Sequence, residues 1–79
     1  METTGSAASL PKVAFIEDEL LLLGLLAEYF GKSGSFCVAG AYADGQTAMA
    51  RVCEKAPDLV VLDLQLPDMD GFDLLAELN

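Results

Sequence analysis

The chain has 79 residues, enough for one small domain, and it is 53% hydrophobic, which excludes a chain that is disordered throughout. Four basic residues stand against thirteen acidic ones, so the formal net charge is −9, and there is no histidine. A surface this acidic repels nucleic acid and anionic membranes, and we expect neither as a partner.

The first eleven residues are predicted to be a flexible leader. They lack the basic start and the long apolar stretch of a secretory signal peptide. The leucine-rich stretch Leu20–Leu26 is too short to span a bilayer, and acidic residues flank it on both sides. The sequence therefore predicts a cytoplasmic protein.

The first predicted pair of elements is a strand over Lys12–Ile16 and a helix over Leu20–Lys32. Acidic residues at 17–19 suit the first turn of that helix, and glycines around its end favour termination there. Apolar residues occupy much of the circumference of the helix, so we expect other parts of the protein to pack against more than one of its sides. The predicted apolar stripe comprises Leu22, Leu25, Leu26, Tyr29 and Phe30.

The second pair is a strand over Phe36–Tyr42 and a helix over Gln46–Lys55, with Asp44 as its predicted N-cap and Pro57 beyond its end. The predicted inner face of the helix comprises Ala48, Met49, Val52 and Cys53. Both cysteines, at positions 37 and 53, have apolar neighbours and no metal-binding spacing, so we expect small, reduced core residues.

The third pair is a strand over Asp58–Asp63 and a helix that begins at Gly71, with a loop between them. The order β-α-β-α-β-α and the continuously apolar strands indicate a doubly wound parallel sheet with helices on both faces. If the first strand lies between the other two, the order is 2-1-3, and the carboxyl ends of strands one and three form a shared ligand site.

Acidic residues follow the two strands that would meet there, namely Glu17 and Asp18 after the first and Asp63 after the third. Converging carboxylates repel one another unless a cation is bound, and oxygen-only ligands suit Mg²⁺. A carboxylate beside Mg²⁺ is also able to attack phosphorus. The plainer alternatives are helix N-terminal charges, a strand-end residue that caps its loop, and an ordinary turn at 66–71.

The segments VAFIEDE and AGAYADGQTAMARVCEKAPDLVVLDLQLPDMDGFDLL resemble the receiver domain of bacterial two-component response regulators. The resemblance covers nearly all of residues 12–79 and implies a flavodoxin-like (CheY-like) fold. It implies that Asp63 accepts a phosphoryl group from a sensor histidine kinase and, with Asp18, binds Mg²⁺. Glu17 would act through water and Gln65 through its backbone carbonyl. The loop would be shaped by Pro67 and Gly71.

Receiver domains also carry a Ser or Thr after a fourth strand and a Lys after a fifth, and the chain stops at Asn79, before either. We therefore expect residues 12–79 to be a partial receiver domain, truncated after the start of helix three, in a fragment with impaired switching. Its parent would be a transcriptional regulator. Strand three would become an exposed edge, so we expect self-association through it.

The chain is not expected to be an enzyme. Phosphohydrolases of the haloacid dehalogenase type also use a strand-end aspartate, but they place a second one two residues later, where this chain has Gln65. The alternative function that stays open is a receiver-like oligomerisation or docking module without phosphotransfer.

Overall fold

The computed structural model describes residues 10–78, so most of the predicted leader lies outside the described residues. Strands and helices alternate as the sequence predicts. They are β1 (Lys12–Ile16), α1 (Leu20–Lys32), β2 (Cys37–Tyr42), α2 (Gly45–Lys55), β3 (Leu59–Leu62) and α3 (Gly71–Leu78). The predicted bounds differ by one residue at the starts of β2 and α2 and at both ends of β3.

The sheet is parallel and has the order β2-β1-β3, which confirms the predicted fold class. Ile16 at the end of β1 pairs with Tyr42 on one side and with Leu62 on the other. The carboxyl ends of the three strands are therefore level. β1 is central, and its four residues 13–16 are fully buried, as expected for a strand with helices on both faces.

One core lies on the face of the sheet that α2 and α3 cover. It is built from Ile16, Ala48, Leu66 and Leu74, with Val60 and Leu62 of β3 packed against it. Leu66 belongs to the loop after β3, so this core also anchors the loop. Burial of one leucine side chain stabilises the fold by about 1.5–3 kcal/mol.

The other core lies beneath α1 and joins Val13 and Phe15 to Leu23. The ring of Phe30 contacts that of Phe15 edge-on, with 5.0 Å between centroids, and contacts that of Phe36 in the same way at 5.1 Å. Such edge-to-face pairs add to the stabilisation from apolar burial. α1 is thus held by aromatic contacts along one side.

The predicted apolar stripe of α1 is wrong for three of its residues. Leu23, Leu26 and Phe30 face the sheet, whereas the predicted Leu22, Leu25 and Tyr29 are exposed. With leucine at six of the seven positions 20–26, the apolar pattern hardly distinguishes one side of the helix from another. The expected cover on more than one side is not present among the described residues, because Leu21 keeps 74% of its surface exposed.

The expected burial of the cysteines is also wrong. Cys37 and Cys53 are both free and exposed. On α2 the buried face consists of Gly45, Ala48 and Val52, while the predicted Met49 is 38% exposed. The buried residues of α2 recur at spacings of three and four along the helix. Met49 and Cys53, which follow them directly in sequence, therefore lie at the side of the helix and not against the sheet.

β3 forms an edge of the sheet. Because side chains alternate along a strand, Leu59 and Val61 lie on the face opposite to Val60 and Leu62, and they remain 44% and 39% exposed. Among the described residues, no helix has the length and hydropathy that a membrane crossing requires.

Candidate functional site

Backbone hydrogen bonds hold the ends of the three strands together. The N–H of Asp63 donates to the carbonyl of Ile16 at 2.8 Å, and the N–H of Glu17 donates to that of Tyr42 at 3.0 Å. Residues that follow β1 and β3 are consequently fixed side by side. This is the edge at which parallel α/β sheets bind ligands.

Glu17, Asp18 and Asp63 form a carboxylate cluster at this edge. One oxygen from each lies within 4.8 Å of the others, with Asp18 exposed and the other two half-buried. The structure thus brings together the three acidic residues that the sequence analysis singled out. Three negative charges so close together favour a bound cation, and an all-oxygen donor set open to water fits Mg²⁺.

The acidic residues before α1 lie outside the helix, contrary to their predicted place in its first turn. The helix begins at Leu20 with Glu19 as its N-cap residue. One carboxylate oxygen of Glu17 accepts a hydrogen bond from the N–H of Glu19 at 3.0 Å. Asp18 therefore stands in a short connection between strand and helix, where its side chain reaches the cluster.

The loop after β3 folds back on itself. The N–H of Gln65 donates to the Asp63 carboxylate at 3.0 Å, which restricts the orientation of that side chain. Gln65 also pairs with Asp70 in an antiparallel bridge, and the N–H of Gly71 donates to the carbonyl of Leu64 at 2.9 Å. Gln65 is exposed, and its hydrogen bond to Asp63 comes from its backbone N–H.

Gly71 lies where the loop closes. A Cβ atom there would stand 2.5 Å from Cα of Leu64 and 2.8 Å from the carbonyl oxygen of Asp63. Backbone atoms cannot move away as a flexible side chain would, so a larger residue would displace the segment next to Asp63. Pro67 lies at the exposed outer part of the same loop.

Asp68 is a residue whose contacts the sequence analysis missed. Its two carboxylate oxygens accept hydrogen bonds from the N–H groups of Gly45 and Gln46, both at 2.8 Å. The bond from Gly45, followed by that from Gln46, holds the pKa of Asp68 below its ordinary value of 3.8. The predicted cap, Asp44, is also in place and accepts from the N–H of Thr47 at 2.7 Å.

Two aspartates therefore accept N–H groups at the N-terminus of α2. Asp44 immediately precedes the helix, whereas Asp68 comes from the loop after β3. In a run such as PDMDG every acidic residue is an ordinary turn former, and the partner of Asp68 lies 22 residues earlier in the chain. No local pattern in the sequence marks such a contact.

A family model described as the response regulator receiver domain matches residues 13–79. The two-component response regulator PhoP of Pseudomonas aeruginosa is 43% identical over 68 residues, which are 86% of this chain and 29% of PhoP. A protein-glutamate methylesterase/protein-glutamine glutaminase of Maricaulis maris is 32% identical over 69 residues, 87% of this chain and 17% of that protein.

The fold is similar to that in the crystal structure of the CheX–CheY–BeF3–Mg²⁺ complex from Borrelia burgdorferi. The TM-score is 0.75 at 28% sequence identity, over 85% of this chain and 51% of the other. The chain thus spans about half of the matched chain in that structure and less than a third of each of the two curated relatives. One relative is named as a regulator and the other as an enzyme, so the matching segment occurs in proteins of both kinds.

Proposed function

The chain belongs to the response regulator receiver domain family, and from that premise we propose that it accepts a phosphoryl group on Asp63 from a sensor histidine kinase. The observation that carries the proposal is the carboxylate cluster of Glu17, Asp18 and Asp63 at the ligand-binding edge of the sheet. The chain would be the acceptor in this transfer and not an enzyme.

In the proposed transfer a carboxylate oxygen of Asp63 attacks the phosphorus of the donor. An O–P bond forms and the P–N bond to the donor histidine breaks, with its electron pair remaining on that nitrogen. The N–H of Gln65 restricts the rotation of the attacking carboxylate. When bound, Mg²⁺ would neutralise charge on the phosphoryl oxygens.

We assign the Mg²⁺ ligands as the carboxylates of Asp18 and Asp63 and the backbone carbonyl of Gln65, with Glu17 acting through water. The cluster geometry supports the carboxylate part of this assignment. The folded-back loop supports Gln65, because it holds that backbone next to Asp63. The CheX–CheY complex, whose fold is similar, contains Mg²⁺ and BeF3, which agrees with the proposed cation.

The test is incubation of the full chain with acetyl phosphate and Mg²⁺, followed by intact-mass measurement. We expect the wild type to gain one phosphoryl group and Asp63→Asn to gain none. Asp73→Asn is the matched control, because Asp73 is an exposed aspartate on α3 outside the cluster. Equal phosphorylation of the wild type and Asp63→Asn, or none of either, would overturn the proposal.

We propose that the longer protein to which this receiver segment belongs is a transcriptional regulator. The support is the similarity to PhoP, which is named as a two-component response regulator. The similarity to a methylesterase keeps an enzymatic output as the competing proposal. Deletion of the gene followed by transcript profiling separates the two, because a regulator changes the transcript levels of its target genes directly.

A second function is self-association or docking through the edge of β3. The observation that favours it is the exposure of Leu59 and Val61 on a strand that, within residues 10–78, is paired on one side only. Sedimentation velocity over a range of concentrations tests it. We expect concentration-dependent dimers in the wild type and a shift toward monomer in Val61→Lys. A monomer at every concentration would contradict this function and leave the phosphoacceptor proposal untouched.

A further inference from the structure

The loop after Asp63 is attached to α2 at a contact that neither the proposed ligands nor the core explains. Both oxygens of Asp68 accept N–H groups at the start of α2, from Gly45 and Gln46. Two charge-assisted hydrogen bonds to one carboxylate are strong and define its orientation. We refer to this contact as the Asp68 clasp.

Close packing accompanies the clasp at Gly45. A Cβ atom on this residue would stand 2.5 Å from Cγ and 2.6 Å from Sδ of Met69, so the absence of a side chain lets Met69 lie against the helix. Gly45 is itself buried. One glycine therefore donates to Asp68 and makes room for the next residue of the loop.

The clasp is connected to the phosphoacceptor through a short stretch of backbone. Gln65 donates to the carboxylate of Asp63 and is paired with Asp70. Asp68 lies between these two paired residues, at the outer part of the folded-back loop. Buried Leu66 anchors the loop to the core on one side, and the clasp anchors it to α2 on the other.

We propose that Asp68 is a positioning residue of the phosphoacceptor site, which holds the Gln65 backbone and the Asp63 carboxylate in the arrangement that binds the cation. The inference rests on the proposed function of Asp63 and goes beyond it, because Asp68 is not among the proposed ligands. Groups that orient metal ligands commonly change metal affinity by a factor of 10–100 when they are removed.

Asp44 supplies a matched control within the same helix. It also caps α2 with a carboxylate, through the N–H of Thr47, but it precedes the helix directly, and its carboxylate makes this bond within the helix and not to the loop after β3. Asp44→Ala and Asp68→Ala both remove an N-cap from α2. Only Asp68→Ala also releases the loop next to Asp63.

The experiment is an Mg²⁺ titration of the full chain followed by NMR at the amide of Gln65, with melting temperatures measured in parallel. We expect Asp68→Ala to raise the Mg²⁺ dissociation constant about tenfold. Asp68→Asn keeps one acceptor oxygen and should raise it by a smaller factor, and Asp44→Ala should leave it unchanged. Both alanine variants should melt at lower temperature than the wild type.

Two results would overturn the inference while the proposed function stands. One is an unchanged dissociation constant in both Asp68 variants. The other is an equal loss in Asp44→Ala, which would show that α2 stability alone is responsible. If Asp68→Ala does not fold, Asp68→Asn decides, because weaker Mg²⁺ binding than in the wild type supports the inference and unchanged binding overturns it. A wild type that binds no Mg²⁺ would overturn both the inference and the proposed function.

Discussion

The two faces of the sheet differ in how completely they are covered. On one face, α2, α3 and the loop after β3 bury Ile16, Leu66 and Leu74. On the other, α1 covers Val13 and Phe15, but Leu59 and Val61 of β3 stay exposed. The outer surface of α1 is apolar as well, with Leu20 70% and Leu21 74% exposed.

The loop after β3, which carries part of the candidate site, belongs to the well-covered side. The loop after Asp63 packs Leu66 into the core between the sheet and α3, and Asp68 joins it to α2. The α1 face contributes Glu17 and Asp18 through the connection that precedes its helix. Perturbations of the α2–α3 face should therefore disturb the site and the fold together, whereas changes on the outside of α1 should disturb neither.

The largest effect is expected at Leu74 of α3. Leu74→Ala empties a fully buried position and should lower the free energy of unfolding by about 2–5 kcal/mol. Its neighbour Leu75 is 46% exposed, and Leu75→Ala should cost less than about 1 kcal/mol. Urea denaturation of both variants measures the difference. Equal losses would show that α3 does not cover the sheet in the manner described.

Replacement of two glycines by alanine should change the free energy of unfolding in opposite directions, by smaller amounts. Gly71→Ala places a Cβ against the backbone of Leu64 and Asp63 and should destabilise the fold by about 1–3 kcal/mol. Gly24 lies within α1, and a Cβ there would meet nothing within 4 Å, so Gly24→Ala should stabilise by about 0.5–1 kcal/mol. Thermal melts of both variants measure this. A stabilised Gly71→Ala would contradict the tight closure of the loop.

The exposed side of α1 should tolerate polar residues. Leu25 is 54% exposed, and Leu25→Gln should change the free energy of unfolding by no more than about 0.5 kcal/mol. Leu23→Gln buries an amide in the core beneath the helix and serves as the contrasting variant. Denaturation midpoints compare the two. A strong destabilisation by Leu25→Gln would indicate that another surface covers this side of α1.

The smallest effect is a pH dependence from the Asp68 clasp. The pKa of Asp68 lies below its ordinary value of 3.8, so its stabilising contribution is fully present above that pH. The contribution is lost as the pH falls through the lowered value in the folded state. The stability difference between wild type and Asp68→Asn should be constant near neutral pH and shrink below about pH 4. A difference that grows on acidification would contradict the clasp.

The sequence predicted the element order, the strand order and the juxtaposition of the three carboxylates. These follow from patterns that are local, such as apolar runs and turn residues, or from the level carboxyl ends of parallel strands. The side of α1 that faces the sheet could not be predicted, because Leu22 and Leu23 are chemically alike and only packing distinguishes them. Asp68 was missed because its partners, Gly45 and Gln46, are distant in the chain and use only their backbone.

The most direct test of the account is an Mg²⁺ titration followed at the amides of Asp18 and Asp63, in the wild type and in Asp18→Asn. If the carboxylates after β1 and β3 share one cation, both amides should shift with a single dissociation constant. Asp18→Asn should then raise the Mg²⁺ dissociation constant measured at the Asp63 amide by at least about tenfold. An unchanged response at Asp63 in Asp18→Asn would contradict the shared site.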